Sequence, residues 1–190
     1  MPDILAASPR DRILQTALTL FYADGLRVGI DRIIAEAGVA KASFYRYFPA
    51  KDDLIQAFLD ARHEHWMAWF VSRVDAVCAK QPPSLALAAE VLAEWFAEPG
   101  FRGCAFINAM AEGGLAAPAV SVVQRHKQDL LTYLVDLAGR AGNARPAEAA
   151  EEALLIIEGA IVRAHMTGDA AVAKTAARML MRLDGSTSKT

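Results

Sequence analysis

Only two of the 190 residues are cysteine, Cys78 and Cys104. That is too few for a disulfide framework, and both are read as reduced thiols in a cytoplasmic protein. Neither sign of charge is in excess: 20 basic and 22 acidic side chains leave a formal net charge of −2. A uniformly basic nucleic-acid coat is thereby excluded, and any nucleic-acid contact has to be a local patch. The chain lacks a glycine-rich phosphate loop, a Gly-x-Ser-x-Gly elbow and metal-ligand spacing. Its acids and histidines are scattered without a converging pair. No catalytic residue, metal or cofactor is therefore expected, and the chain is not read as an enzyme. His63-Glu64-His65 comes nearest to a metal pair, but residues two apart on a helix point in different directions. Long apolar runs are missing as well, since Glu90, Glu94, Glu112, Asp129 and Glu158 interrupt them, so no membrane span is expected. Met1-Pro2-Asp3-Ile4-Leu5 has neither a basic nor an apolar leader region, and no signal peptide is expected.

Alanine is what the chain has in quantity, 39 residues of 190, within a hydrophobic fraction of 54%. Alanine has the highest helix propensity, and β-branched alternation is scarce, so the expected fold class is all-α with a sizeable core. Ser8-Pro9-Arg10-Asp11 reads as a helix start, with a cap, a first-position proline and an acid in the first turn. Ile13, Ala17, Leu20 and Phe21 continue it at helical spacing to Gly25. Two short helices are expected over Asp31–Ala37 and Lys41–Tyr47, separated by Gly38-Val39-Ala40 and closed by Pro49. A long helix should run from Lys51 towards Gln81-Pro82-Pro83. Five more are expected at about 84–97, 104–113, 118–140, 147–166 and 170–183, making about nine in all, with Asp169 a candidate cap for the last. The polar stretch 185–190 reads as a tail.

A longer helix followed by two short ones around a tight glycine turn is the pattern of a helix-turn-helix. Gly38 suits the turn, and Ile33, Ala37, Val39, Phe44 and Phe48 suit the apolar lock between the helices. Charge points the same way. From Ala37 to Lys51 there is no acid, while Lys41, Arg46 and Lys51 supply three positive charges. Ser43, Tyr45 and Tyr47 interleave hydroxyls that can bond to phosphate oxygens. Taken alone, such a segment also fits a solvated basic helix with aromatic packing.

Residues Gly25 to Leu59 carry a more specific signal. Ile34-Ala35-Glu36-Ala37-Gly38-Val39, then Phe44-Tyr45-Arg46-Tyr47-Phe48, then Pro49-Ala50-Lys51-Asp52-Asp53-Leu54, resemble in order the DNA-binding region of the TetR family of bacterial transcriptional regulators. The sequence departs from the family pattern at several points. No hydroxyl residue caps the second helix at Val28-Gly29-Ile30, and the loop before it looks one residue short. Tyr47 stands where His is frequent, Ala42 where Gly is, and Ala50 where Ser is. These departures bear on phosphate contacts and operator sequence rather than on fold. The resemblance implies a three-helix DNA-binding head over residues 1–52 and a ligand-binding and dimerisation body over 53–184. It implies that Tyr45 and Lys51 hold phosphates while Lys41, Ala42, Ser43, Arg46 and Tyr47 face the major groove. Its implied partners are double-stranded DNA with a palindromic operator, a small-molecule effector and a second copy of the chain. The implied role is a regulator, by family default a repressor.

The segment Phe101 to Glu112, with Gly103-Cys104 ahead of an apolar helix, resembles a subgroup of the same family, as does 126–168. Cys104, Asn108 and Glu112 are spaced to share one helix face. Trp66, Trp69, Phe70, Phe106 and Met110 could wall a pocket around them. Aromatic residues at helical spacing fit plain core equally well. Arg102, close to Cys104 in sequence, leaves a thiol-sensing role open beside that of a buried inert cysteine. Small residues along 147–166 and 170–183 would let these helices pair across a two-fold axis, as the resemblance implies, or pack within a monomeric bundle.

Overall fold

A computed structural model describes residues 8–184 of the chain. Among these residues there are nine helices and no strand: α1 (Pro9–Asp24), α2 (Ile30–Ala37), α3 (Lys41–Tyr47), α4 (Lys51–Cys78), α5 (Ala86–Phe96), α6 (Ala105–Glu112), α7 (Ala117–Arg140), α8 (Pro146–Thr167) and α9 (Val172–Asp184). The all-α expectation holds, and the helix order is the one read from the sequence. The polar tail and the first five residues, both considered above, lie outside the described residues. None of the described helices is long and apolar enough to cross a membrane. The chain clusters into two compact units. One takes in the described residues up to Glu64 together with Ala105–Gln124; the other takes in His65–Cys104 and the residues from Arg125 onward.

In the first unit α1 begins on a complete capping box. Ser8 Oγ accepts from the Asp11 N–H at 3.2 Å, and the Asp11 carboxylate accepts from the Ser8 N–H at 3.3 Å. Ile13, Ala17, Leu20 and Phe21 form its buried face. Phe21 meets Phe58 of α4 edge-on at 5.4 Å. At the end of α1, Gly25 takes φ +85°, and its N–H returns to the Phe21 carbonyl. The next N–H, that of Leu26, donates to both oxygens of the Glu112 carboxylate at 2.9 and 3.1 Å. A Cβ at position 25 would stand 2.9 Å from Glu112 Oε1. Glycine is required there by the backbone angle, and a Cβ would also push the Glu112 carboxylate aside.

In the second unit α5 is the most enclosed helix, with Ala86, Leu87, Ala88, Ala89, Val91, Leu92, Trp95 and Phe96 all buried. Only a narrow strip, with Glu90 and Glu94, is exposed, and α5 packs against both α8 and α9. Alanines make this close approach possible. Ala149, Ala150, Ala153, Ala160 and Ala164 of α8, with Ala173 and Ala176 of α9, are buried. Two polar ties close the unit. Asp184, at the end of α9, accepts from Ser84 Oγ and from the Leu85 N–H, and so caps the start of α5. Buried Asn143 donates to the Leu183 carbonyl and accepts from the Arg145 N–H, each at 2.8 Å. Between α4 and α7, one oxygen of Asp75 accepts from Tyr133 Oη and from Arg140, all at 3.0 Å. Burial, then the hydrogen bond to Asp75, pushes the Tyr133 phenol up from its ordinary range.

Replacing Gly25 with alanine should therefore destabilise the chain by about 1–3 kcal/mol, the range for a residue held in a glycine-only backbone region. Gly100→Ala is the control. Gly100 is outside the positive-φ region, and nothing lies within 4 Å of a Cβ built there. Its stability in urea should be unchanged or rise by at most about 1 kcal/mol, and only the Gly25 variant should be clearly destabilised.

Candidate nucleic-acid interface

The turn between α2 and α3 is built on Gly38, which sits in the left-handed region at φ +61°. Its N–H bonds to the Ala35 carbonyl and the Val39 N–H bonds to that of Ile34, so the last turn of α2 is closed by backbone alone. Arg12 Nη2 of α1 donates to the Gly38 carbonyl at 3.4 Å. Neither α2 nor α3 has a side-chain cap at its start, which agrees with the missing hydroxyl noted in the sequence. Two helices of eight and seven residues have little stability of their own. They are held by apolar contact with α1 and with each other.

Phe44 anchors α3. Its ring is fully buried, and Phe48, also buried, follows at 6.2 Å between ring centroids. With Phe44 inside, helical geometry places Ala42 and Arg46 on the opposite side, and Lys41, Ala42, Tyr45 and Arg46 are all exposed. Ser43 and Tyr47 are half-buried at the edges of that face. Lys41 Nζ lies 3.3 Å from Asp31, but both side chains are largely in solvent, at 64% and 88% exposure. Such a pair is weak and is readily exchanged for a phosphate. Arg46 is more ordered. Its guanidinium lies 4.8 Å from the centre of the Tyr47 ring and donates to Tyr47 Oη at 2.9 Å. Tyr45 is 41% exposed and leans edge-on against Phe44. Lys51 opens α4, where Asp53 accepts from the Ala50 N–H at 2.8 Å, and its ammonium lies 5.9 Å from the Phe21 ring.

All seven residues read as DNA-facing thus lie on α3 or at the first position of α4. Arg10 is not among the residues picked from the sequence. Its guanidinium sits over the Phe48 ring at 5.5 Å, which adds a cation from α1 at the far end of α3. No local pattern announces this, because the two residues meet only through the fold.

The residues read as ligand-facing divide between the units. Trp66, Trp69 and Phe70 come together in the second unit. Trp66 stacks on Phe70 at 4.8 Å and 11°, and Trp69 lies 6.2 Å from Trp66. Two partners not picked from the sequence join them: Trp95 at 5.7 Å and His126 at 5.3 Å, both edge-on to Trp66. Cys104 is also in this unit, buried, with Lys127 Nζ 3.7 Å from its sulfur and Glu158 2.8 Å from that ammonium. Phe106, Asn108, Met110 and Glu112 belong to α6 and to the first unit. Phe106 is buried, Asn108 half-buried and Met110 49% exposed. The Glu112 carboxylate is engaged by the Leu26 N–H described above. Cys104 precedes the helix it was expected to share with Asn108 and Glu112.

Residues 13–58 match the family model described as bacterial regulatory proteins, tetR family. Among solved structures, a TetR-family transcriptional regulator from Streptomyces coelicolor is 34% identical, with 93% of this chain and 94% of that chain covered and a TM-score of 0.79. A TetR-type regulator from Streptomyces avermitilis is 28% identical over 92% of this chain and 98% of that one, with a TM-score of 0.72. A regulatory protein TetR from Rhodobacter sphaeroides, at 24% identity and a TM-score of 0.79 over 93% and 98% of the two chains, shares the fold. No curated protein sequence matches the chain. The helix-turn-helix with its outward basic face, together with likeness along nearly the whole length, assigns this chain to the TetR family of bacterial DNA-binding transcriptional regulators.

Proposed function

We propose that the protein is a repressor that binds a palindromic operator as a homodimer and is released when a small apolar molecule binds in its body. The observation that carries this reading is the outward face of α3, where Lys41, Ala42, Tyr45 and Arg46 are exposed around a buried Phe44. On this reading, residues 1–52 are the DNA-binding domain and 53–184 the ligand-binding and dimerisation domain, acting in the cytoplasm. Lys41, Ala42, Ser43, Arg46 and Tyr47 face the major groove, while Tyr45 and Lys51 hold phosphates. Arg10 joins the phosphate contacts. The Gly103-Cys104 junction marks the subgroup with this kind of body. No step in this scheme calls for catalysis or a cofactor.

One seven-residue recognition helix reads too few base pairs for tight specificity, and a symmetric pair doubles the contacts. The apolar face of α8 and α9 supports a second copy as the partner. Leu155 is 71% exposed, Met166 81% and Met181 60%, an unusual outlay of large apolar side chains on a surface. Between these helices runs a groove of about 330 Å³, lined by Leu155, Gly159, Val172 and Met179 among others. Self-complementary packing of α8 and α9 from two copies would cover it as a four-helix interface.

Release requires the effector to prefer the conformation that binds DNA poorly. The lever is α4, a 28-residue helix whose first half belongs to the unit that holds α3 and whose second half carries Trp66, Trp69 and Phe70. The bond from the Leu26 N–H to Glu112 offers α6 a second grip on the α1–α2 loop. A thiol-sensing variant of this reading rests on Lys127, whose ammonium lies 3.7 Å from the Cys104 sulfur.

The primary test is enrichment of bound duplexes from random sequence. A short inverted repeat is expected, and the absence of any enriched site would overturn the reading. With that operator, Lys51→Ala should weaken binding to operator and unrelated duplex alike, by about ten-fold, and should lower the salt slope by about one. Arg46→Ala should lose more on the operator than on unrelated DNA. Leu155→Glu should sediment as a monomer with unchanged helicity and bind the operator at least about 100-fold more weakly. Cys104→Ser should still release DNA with a small-molecule effector; loss of release only under peroxide would favour the thiol reading.

A further inference from the structure

Three side-chain nitrogens among the described residues are shielded from solvent and lack a hydrogen-bond partner: Arg12 Nε, Arg62 Nε and Trp66 Nε1. The two arginines have other N–H groups to use. Arg12 Nη2 reaches the Gly38 carbonyl, and the Arg62 guanidinium lies over the Tyr22 ring at 4.2 Å. Trp66 has one donor only, and the residue is 8% exposed. A buried indole N–H without an acceptor is costly, and native interiors rarely keep one without a reason. Its surroundings are rings. Phe70 covers one face of the indole at 4.8 Å, while Trp95 and His126 stand edge-on at 5.7 and 5.3 Å. All of these residues lie in the second unit.

We infer that the effector is a flat, neutral, apolar molecule bearing a carbonyl-type acceptor, and that Trp66 Nε1 is the donor that selects it. This rests on the reading of the body as the effector-binding part. The aromatic side chains supply dispersion, and the indole N–H supplies the one directional contact. An indole donates in the plane of its ring, so the acceptor arrives at the ring edge rather than on the face that Phe70 covers. A carboxylate is a poorer match, because aromatic walls and a single neutral donor cannot replace the hydration of a charge. A plain hydrocarbon fills the same space and leaves the donor unpaired. Sites built around a hydrogen bond discriminate far more sharply than sites built on size alone.

The test uses the full-length protein and two probes of nearly equal shape, 2-acetylnaphthalene and 2-ethylnaphthalene, in wild type and Trp66→Phe. Each affinity is measured by calorimetry. The ratio of ketone to hydrocarbon affinity should fall at least ten-fold in the variant, while hydrocarbon affinity changes by less than about three-fold. Comparing ratios cancels the difference in transfer from water. An unchanged ratio, or no binding of either probe, overturns the inference. Should Trp66→Phe fail to fold, the wild-type spectrum decides. The chain has three tryptophans, and Trp69→Phe and Trp95→Phe identify the remaining indole N–H resonance. That resonance must move with the ketone and not with the hydrocarbon; its standing still overturns the inference. Adding operator separates this site from the regulatory reading. A ketone that engages Trp66 yet leaves DNA bound defeats the effector role and keeps the site. Release by compounds indifferent to Trp66→Phe defeats the site and keeps the role.

Discussion

The exposed basic face of α3 exists because one ring is buried. Seven residues do not hold a helix in water, and α3 has no side-chain cap to help it. It stands because Phe44 is driven wholly into the interior, with Phe48 packed beside it. The 100° step of the helix does the rest. Once Phe44 points inward, Ala42 and Arg46 fall on the opposite side, and Lys41 and Tyr45 are exposed at its flanks. The contact surface is thus a by-product of the apolar core, and its orientation needs no polar interaction to maintain it. Gly38 serves the same end, since its left-handed turn sets where α3 begins relative to α2.

This is why the head could be read from sequence. Its determinants are local: a capping box at Ser8, a glycine turn at 38, a proline stop at 49, and apolar residues spaced for short helices. The body is different. The stripe of Trp66, Trp69 and Phe70 is visible as helical spacing, but Trp95 and His126 arrive from α5 and α7 and carry no signal that they will meet it. Glu112 makes the same point. Its spacing from Asn108 suggested a shared face, yet its carboxylate bonds to a backbone N–H 86 residues earlier in the chain. Nothing in the residues around either position encodes that pairing. Arg10 over Phe48 is a third case, a contact between helices that the sequence keeps well apart.

Alanine deserves a second reading in this light. From composition it signals helix propensity, which is correct for the nine helices described. In α8 and α9 its role is geometric. Buried alanines at 153, 160, 164, 173 and 176 keep the facing surfaces thin, so that backbones approach closely and α5 can be enclosed. The large apolar side chains of the same helices, Leu155, Met166 and Met181, are left on the outside. Ile157, Ile161 and Leu180 fill the inner face beside the alanines, so these helices carry large apolar side chains on both faces, as helices with a second neighbour would.

The cap that Asp184 places on α5 has a consequence for how the protein is made. Its bonds to Ser84 and Leu85 span 100 and 99 residues. The innermost helix of the second unit therefore leaves the ribosome long before the group that finishes its first turn. Until the last helix has been translated, α5 lacks the carboxylate that finishes its first turn, and a transcript broken shortly before codon 184 encodes a chain that never receives it.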